Sequence, residues 1–323
     1  MKRRRWGRLA LAAAAIILVP LAAALTASEI WKQQSQASLE AGSQVIQTAR
    51  GPVEYAEVGS GPVVLISHGA PGGYDEGVAL ARLAQAPQYQ FIGVSRPGYL
   101  RTPLETGRTY EEQADAFAAL LDALGIEQAA VLGVSSGGPA ALQFALRYPE
   151  RCWALVMLAA VSQRPQGPRP PLDSWLWQAA TSDLGSWMLD SVLEYQPGPL
   201  LQAMMPDDPA ERSRLLDDPQ SLAAFQEALR TAIPVSLRSA GLANDVDLHW
   251  AMPEYPLQEI SVPTLAIYGT ADLQVDWPNA QFVADEIPGA EFAPVAGGSH
   301  ALMITRRAEV WPRLTAFLDR HAP

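Results

Sequence analysis

Short apolar runs and stretches of helical periodicity alternate along most of the chain beyond residue 43. The apolar runs are typical of buried strands and fall at 63–67, 89–94, 129–134, 153–159, 264–268 and 290–295. Stretches with helical spacing follow at 110–124, 136–148 and 306–321, and this alternation predicts a mostly parallel α/β sheet. Two further apolar stretches flank Arg50-Gly51-Pro52 and predict an opening hairpin.

The alternation stops between residues 162 and 258. No clear buried strand occurs there, and four prolines between residues 165 and 171 open the segment. Helical patterns are predicted at 174–194, 209–216, 221–231 and 235–242. One sheet interrupted by a helical insertion fits this pattern better than two independent domains.

The N-terminus has a different pattern. Five basic residues precede an uncharged stretch of 19 residues at 9–27. As a helix this stretch is about 28 Å long, close to the thickness of a hydrocarbon core. Residues 1–27 are therefore either a signal peptide, cut near Ala22, Ala24 or Ala27, or an uncut anchor with Trp31 and Lys32 at the far interface. Residues 28–42 are interpreted as a polar linker.

Composition narrows the possible functions. Hydrophobic residues make up 49% and charged residues 18% of the 323 positions, enough for a large core. The net charge is −11, and about −16 without the basic leader, which argues against nucleic-acid binding. The single cysteine, Cys152, rules out an internal disulfide framework. No metal site and no cofactor are expected.

One motif suggests nucleophilic chemistry. Residues 133–137 read Gly-Val-Ser-Ser-Gly, which places Ser135 where a buried strand ends and a helix begins. His300 follows the last predicted strand and is the candidate base. Asp272 directly follows the strand at 264–268 and is the candidate acid, with Asp276 as the second choice.

A tetrahedral intermediate would need hydrogen-bond donors for its oxyanion. The backbone N–H of Ser136 is one candidate, because this residue follows the nucleophile. The loop after the strand at 63–67 is expected to supply the other donor. Pro71 has no N–H, so Ala70 is the candidate, and His68 is expected to be a structural residue of this loop.

The His68-Gly69 loop, the Ser135 turn, Asp272 and His300 come in the order typical of α/β-hydrolases, and the sequence over about residues 43–323 resembles that superfamily. The resemblance implies a mostly parallel eight-stranded sheet flanked by helices. The catalytic domain would comprise 43–161 and 259–323, and 162–258 would form a helical lid. Residues 68–73 are also similar to proline iminopeptidases, although Ala70 and Ser136 depart from that pattern.

The aromatic residues of the implied lid suggest an apolar substrate. The candidate substrate-binding residues are Trp175, Trp177, Trp187 and Trp250.

The function expected from these features is hydrolysis of a carboxylic ester of a small, apolar molecule through an acyl-enzyme. Amide or N-terminal peptide hydrolysis is one alternative, and a non-catalytic ligand-binding protein of the same fold is another. The expected location is outside the cytoplasm, membrane-anchored if the leader is uncut and secreted or periplasmic if it is cut. The sequence does not predict the oligomeric state.

Overall fold

The central feature of the fold is an eight-stranded sheet. A computed structural model describes residues 2–204 and 209–323. The strands are β1 (Gln44–Thr48), β2 (Gly51–Gly59), β3 (Val63–Ser67), β4 (Gln90–Val94), β5 (Ala129–Val134), β6 (Cys152–Leu158), β7 (Thr264–Gly269) and β8 (Glu291–Val295).

The strand order is β1-β2-β4-β3-β5-β6-β7-β8. Strands β3 to β8 run parallel to one another, whereas β1 and β2 form an antiparallel hairpin and β2 pairs antiparallel with β4. The mostly parallel sheet predicted from the sequence is therefore confirmed. Strands β3, β5, β6 and β7 are buried along their whole length, because helices cover both faces of the sheet.

The helices that precede β7 in the chain are α1 (Lys2–Ala41), α2 (Tyr74–Ala84), α3 (Tyr110–Leu124), α4 (Gly138–Arg147), α5 (Trp175–Thr181), α6 (Asp183–Tyr195), α7 (Pro197–Met204), α8 (Pro209–Asp217), α9 (Pro219–Arg230) and α10 (Ser239–Ala251). Helices α11 (Trp277–Glu286), α12 (Leu302–Thr305) and α13 (Arg307–His321) follow β7. Helix α3 starts with a capping box between Thr109 and Glu112.

Six α-helices of the described chain, α5 to α10, lie between β6 and β7 and form a helical insertion. The insertion leaves the sheet at the carboxyl end of β6, where ligand sites of parallel sheets occur. The helix predicted at 174–194 is two helices, because the chain turns at Ser182. The Ser182 hydroxyl accepts a hydrogen bond from Gly185 N–H and so caps α6.

A buried ion pair joins the insertion to the sheet. The Arg96 guanidinium, in the loop after β4, donates to both carboxylate oxygens of Asp245 on α10, at 2.8 and 2.5 Å. Both side chains are at most 2% exposed, and the Tyr99 hydroxyl donates to the same carboxylate. Burial alone would lower the pKa of Arg96, but the negative charge of Asp245 raises this pKa above its usual value.

A second ion pair joins the insertion to the first turn of α2, which directly follows the loop after β3. Arg238, just before α10, donates to both oxygens of Asp75 at 3.1 and 2.7 Å and to the carbonyl oxygen of Gly72 at 2.8 Å. The Arg238 side chain is fully buried. The loop that contains Ala70, the expected second oxyanion donor, is thus held in place by a residue of the insertion.

Residues 28–41, expected to be a linker, are the last four turns of helix α1. Two physical reasons account for this difference. This stretch lacks glycine and proline, and side-chain pairs one turn apart bond each other, from Gln33 to Glu29 and from Gln36 to Glu40. The helix is also held by the insertion, since Trp31 Nε1 donates to Asp190 at 2.9 Å and Lys32 pairs with Asp183 at 2.8 Å.

We predict that Asp245→Ala destabilises the protein by about 3–5 kcal/mol, because it leaves the Arg96 charge buried without a partner. Urea unfolding of the full-length chain measures the change. The control is Glu105→Ala, which removes the exposed Arg108–Glu105 pair and is expected to cost no more than about 1 kcal/mol. Equal effects of the two substitutions would contradict this account of how the insertion is held.

Candidate active site

Ser135 lies in a sharp turn between β5 and α4. Its φ is +48°, a left-handed conformation that side chains rarely adopt. The turn holds because backbone groups support it, including a 2.9 Å hydrogen bond from Val161 N–H to the Ser135 carbonyl oxygen. Gly137 packs so closely on the end of β3 that a Cβ atom there would collide with the Ser67 carbonyl oxygen.

The structure brings Ser135, His300 and Asp272 into one hydrogen-bonded chain. His300 Nε2 is 3.0 Å from Ser135 Oγ, and His300 Nδ1 is 2.8 Å from Asp272 Oδ2. The other Asp272 oxygen accepts from the N–H groups of Gln274 and Val275, at 2.8 and 3.0 Å. In this arrangement His300 Nδ1 can donate to Asp272, and His300 Nε2 can accept a hydrogen bond from the Ser135 hydroxyl.

The second candidate acid is not part of this chain. Asp276 accepts a 2.7 Å hydrogen bond from the side-chain amide of Asn279 and precedes the first turn of α11. Of the two aspartates, Asp272 is the one that contacts His300.

His68 has a structural place in the loop after β3. Its Nδ1 lies 2.5 Å from the carbonyl oxygen of Gly69, and its Nε2 accepts from Arg96 N–H at 3.0 Å. Burial lowers the pKa of His68 well below its usual value, and the positive charge of Arg96 lowers it further. Because both nitrogens of the neutral imidazole contact backbone groups, His68 holds the conformation of this loop.

Glu76, on the first turn of α2, was not singled out from the sequence. Its carboxylate accepts a 3.0 Å hydrogen bond from Gly69 N–H and lines the same cavity as Ser135. Burial raises the pKa of Glu76, although the hydrogen bond from Gly69 opposes this change. An acid in the first turn of a helix is a common capping pattern, so nothing in its spacing distinguished Glu76 from an ordinary helix start.

A cavity of about 320 Å³ opens onto Ser135 and His300. Ala70 and Glu76 line it on the side of the β3 loop. Most of the remaining wall is apolar and comes from the body and from α9 of the insertion: Leu80, Leu83, Val134, Phe225, Ala228, Leu229, Met303 and Ile304.

The four tryptophans expected to bind substrate are not among the described residues that line this cavity. Trp175 is 74% exposed at the surface of the insertion, close to Trp177. Trp187 lies on α6, and Trp250 Nε1 donates to the Gly167 carbonyl oxygen. The aromatic side chain that the insertion contributes to the cavity is Phe225 on α9 instead.

The model of the α/β-hydrolase fold family matches residues 62–306, about three quarters of the chain. The protein belongs to the α/β-hydrolase family. An uncharacterized hydrolase, YcgS, from Bacillus subtilis is 29% identical over 83% of this chain and 95% of its own length.

Two solved α/β-hydrolase-like structures are also similar. An alpha/beta hydrolase fold protein from Nakamurella multipartita is 35% identical, covers 85% of this chain and 98% of its own, and has a TM-score of 0.78. A bacterial membrane phospholipase A is 21% identical, covers 99% of both chains and has a TM-score of 0.61, a likeness of fold. The family and the Bacillus subtilis relative support hydrolase activity for this chain.

We predict that Gly137→Ala destabilises this α/β-hydrolase by about 1–3 kcal/mol or more, because the added methyl meets the backbone of β3. The control is Gly198→Ala on α7, where an added Cβ meets nothing within 4 Å. This control is expected to be neutral or stabilising by up to about 1 kcal/mol. Thermal unfolding of both variants tests the prediction, and a tolerated Gly137→Ala would contradict the close packing of this turn.

Proposed function

We propose that the protein is a serine hydrolase that cleaves a carboxylic ester through an acyl-enzyme. The observation that carries the proposal is the hydrogen-bonded chain Ser135–His300–Asp272 at the wall of an apolar cavity. Ser135 contacts the base, His300 contacts both the nucleophile and the acid, and Asp272 contacts His300 and two backbone N–H groups.

In the first step the Ser135 oxygen attacks the ester carbonyl carbon while His300 Nε2 takes the hydroxyl proton. Asp272 holds the imidazole through Nδ1 and stabilises its positive charge. His300 then gives the proton to the leaving alkoxide oxygen as the carbon–oxygen bond breaks. Water, activated by the same nitrogen, releases the acid and restores Ser135.

The oxyanion is proposed to bind the N–H groups of Ser136 and Ala70. Ser136 directly follows the nucleophile in the short turn before α4, and Ala70 lines the cavity beside Ser135. Gly69 N–H, the neighbouring donor, is already bonded to Glu76. Each donor of this kind typically contributes about 10² to 10³ in rate.

The substrate is proposed to be small and apolar on its acyl side, because most of the cavity wall is aliphatic or aromatic. Helix α9 covers one side through Phe225 and Leu229, and we assign the insertion at 162–258 the role of a lid on that basis. The body at 43–161 and 259–323 would then be the catalytic domain.

Cleavage of an N-terminal amino acid is the second candidate, because a carboxyl group, Glu76, lies in the cavity and could bind a substrate ammonium. The raised pKa of Glu76 favours its neutral form, and its hydrogen bond to Gly69 uses one oxygen. Both features weaken its attraction for a cation, so the ester is preferred.

Helix α1 is proposed to be an uncut membrane anchor. The part at Ala15–Ala41 is long and apolar enough to cross a membrane, with a mean hydropathy of 1.5 in its most apolar window. The candidate cut sites lie within a continuous helix, and Ser28, one residue after Ala27, is only 3% exposed. Proteases prefer exposed, irregular segments, so this arrangement favours an intact helix.

We predict that Ser135→Ala lowers turnover of short p-nitrophenyl esters by about 10⁴-fold or more, because it removes the oxygen that forms the acyl-enzyme. The same substitution is expected to abolish labelling by a fluorophosphonate probe. A folded variant with unchanged turnover would overturn the proposed function. Aminoacyl amides assayed in parallel distinguish the second candidate.

The matched pair Asp272→Asn and Asp276→Asn tests the role of the acid. The first is expected to lower turnover by up to about 10⁴-fold, because the amide favours the wrong tautomer of His300. The second changes an aspartate four residues away that does not contact His300, and is expected to leave turnover within about threefold of wild type. Similar losses in both variants would assign the effect to the local fold.

We predict that intact-mass measurement of the protein from membranes gives the full-length chain, because the candidate cut sites are helical. The soluble fraction of the same cells is the control. A mature chain that begins near residue 23, 25 or 28 would show that the leader is a signal peptide.

A further inference from the structure

Helix α6 of the insertion carries an apolar stripe on its solvent side. Met188, Val192 and Tyr195 are 58%, 39% and 81% exposed. Their spacing of four and three residues places them on one face of the helix. A helix face exposed to water is normally polar, so this stripe indicates a surface with an apolar contact.

The neighbouring helix α5 also exposes large apolar side chains. Its first turn contains Trp175, Leu176 and Trp177, which are 74%, 62% and 36% exposed. Tryptophan is enriched where proteins meet the headgroup layer of a bilayer, because its ring is apolar and its N–H is polar. Helices α5 and α6 pack against each other, so the insertion presents exposed large apolar side chains from two adjoining helices.

The charged groups of α6 are directed elsewhere. Asp183 pairs with Lys32 and accepts from Ser236, and Asp190 accepts from Trp31 and Arg230. Glu194, which is 56% exposed, also pairs with Arg230. The polar side chains of α6 therefore bond to α1 and to the rest of the insertion. The apolar stripe lies on the solvent-exposed side of the helix.

Helix α1 sets the height of α6 relative to a membrane. Trp31 is four residues beyond the end of the uncharged stretch at 9–27, which is about 6 Å along a helix axis. Each headgroup layer of a bilayer is about 5–8 Å thick. With residues 9–27 in the hydrocarbon core, the contacts of Trp31 and Lys32 hold α6 at headgroup depth.

We propose that the exposed apolar face of α5 and α6 rests on the phospholipid bilayer that α1 spans. This proposal rests on the uncut anchor and on the ester hydrolase proposed above. Its consequence for the substrate is an ester that is dissolved in the membrane. A groove lined by Trp31, Asp190 and Thr231 lies beside α1, and Thr231 also lines the cavity at Ser135, so the groove adjoins that cavity.

The first experiment measures depth in proteoliposomes of full-length protein and phosphatidylcholine. A fluorophore is attached to Met188→Cys or Tyr195→Cys, and lipids with a nitroxide at the headgroup act as quenchers. Glu150→Cys is the control, because Glu150 is exposed and precedes β6, at the opposite end of the strands from the insertion. The native Cys152 is buried, so unsubstituted protein serves as the unlabelled blank.

We expect quenching of at least about twofold at positions 188 and 195 and little at 150, because only the first two positions contact lipid. Equal quenching at all three positions, or none at 188 and 195, would overturn the proposal. A disulfide between two copies at position 188 would also overturn it, since a second chain would then cover this face.

The second experiment separates the membrane contact from catalysis. The triple variant Met188→Ser, Val192→Ser, Tyr195→Ser is assayed with a long-chain ester dissolved in the same liposomes and with a short water-soluble ester. We expect about a tenfold loss on the first substrate and less than a twofold change on the second, because these side chains do not line the cavity. Equal losses on both substrates would overturn the membrane role, whereas activity in Ser135→Ala would overturn the ester hydrolase and leave the quenching result valid.

Discussion

The buried pair Arg96–Asp245 is the interaction on which the arrangement of this site depends. Arg96 also donates through Nε to the carbonyl oxygen of His68, so one guanidinium fixes both the loop after β3 and the insertion. Moving such a charge out of water is costly, and only a bidentate carboxylate with further hydrogen bonds offsets that cost. Helix α10 of the insertion and the loop at His68 are therefore held against each other by a pair that stabilises only when complete.

Local rules predicted much of the sheet and the chemistry. Strands β3, β5 and β7 were recognisable because apolar residues fill both faces of a buried strand. Ser135, Asp272 and His300 were recognisable because each follows a strand in the order of the α/β-hydrolase family, and the structure brings them within hydrogen-bond distance. Each of these patterns is contained in a short segment of the sequence, so it can be recognised without knowledge of distant contacts.

The rest depends on contacts between distant parts of the chain. Asp245 is 149 residues from Arg96, and nothing in the spacing of α10 marks it as the partner of a buried cation. Residues 28–41 are polar enough to be interpreted as a linker, yet contacts with Asp183 and Asp190 hold them as a helix. Aromatic content alone also suggested a substrate role for Trp175, which the fold places at the outer surface instead.

Helix α1 has a consequence for how this chain tolerates changes in length. A flexible tether lets a domain turn freely, so adding or removing a residue matters little. A continuous helix adds about 1.5 Å and about 100° of rotation for each residue. One residue inserted between residue 27 and Trp31 would therefore turn the whole hydrolase body by more than a quarter circle about the helix axis, and four would nearly restore its direction. With α1 as the membrane anchor proposed above, the phase of this helix, as well as its composition, decides which face of the body is directed toward the membrane.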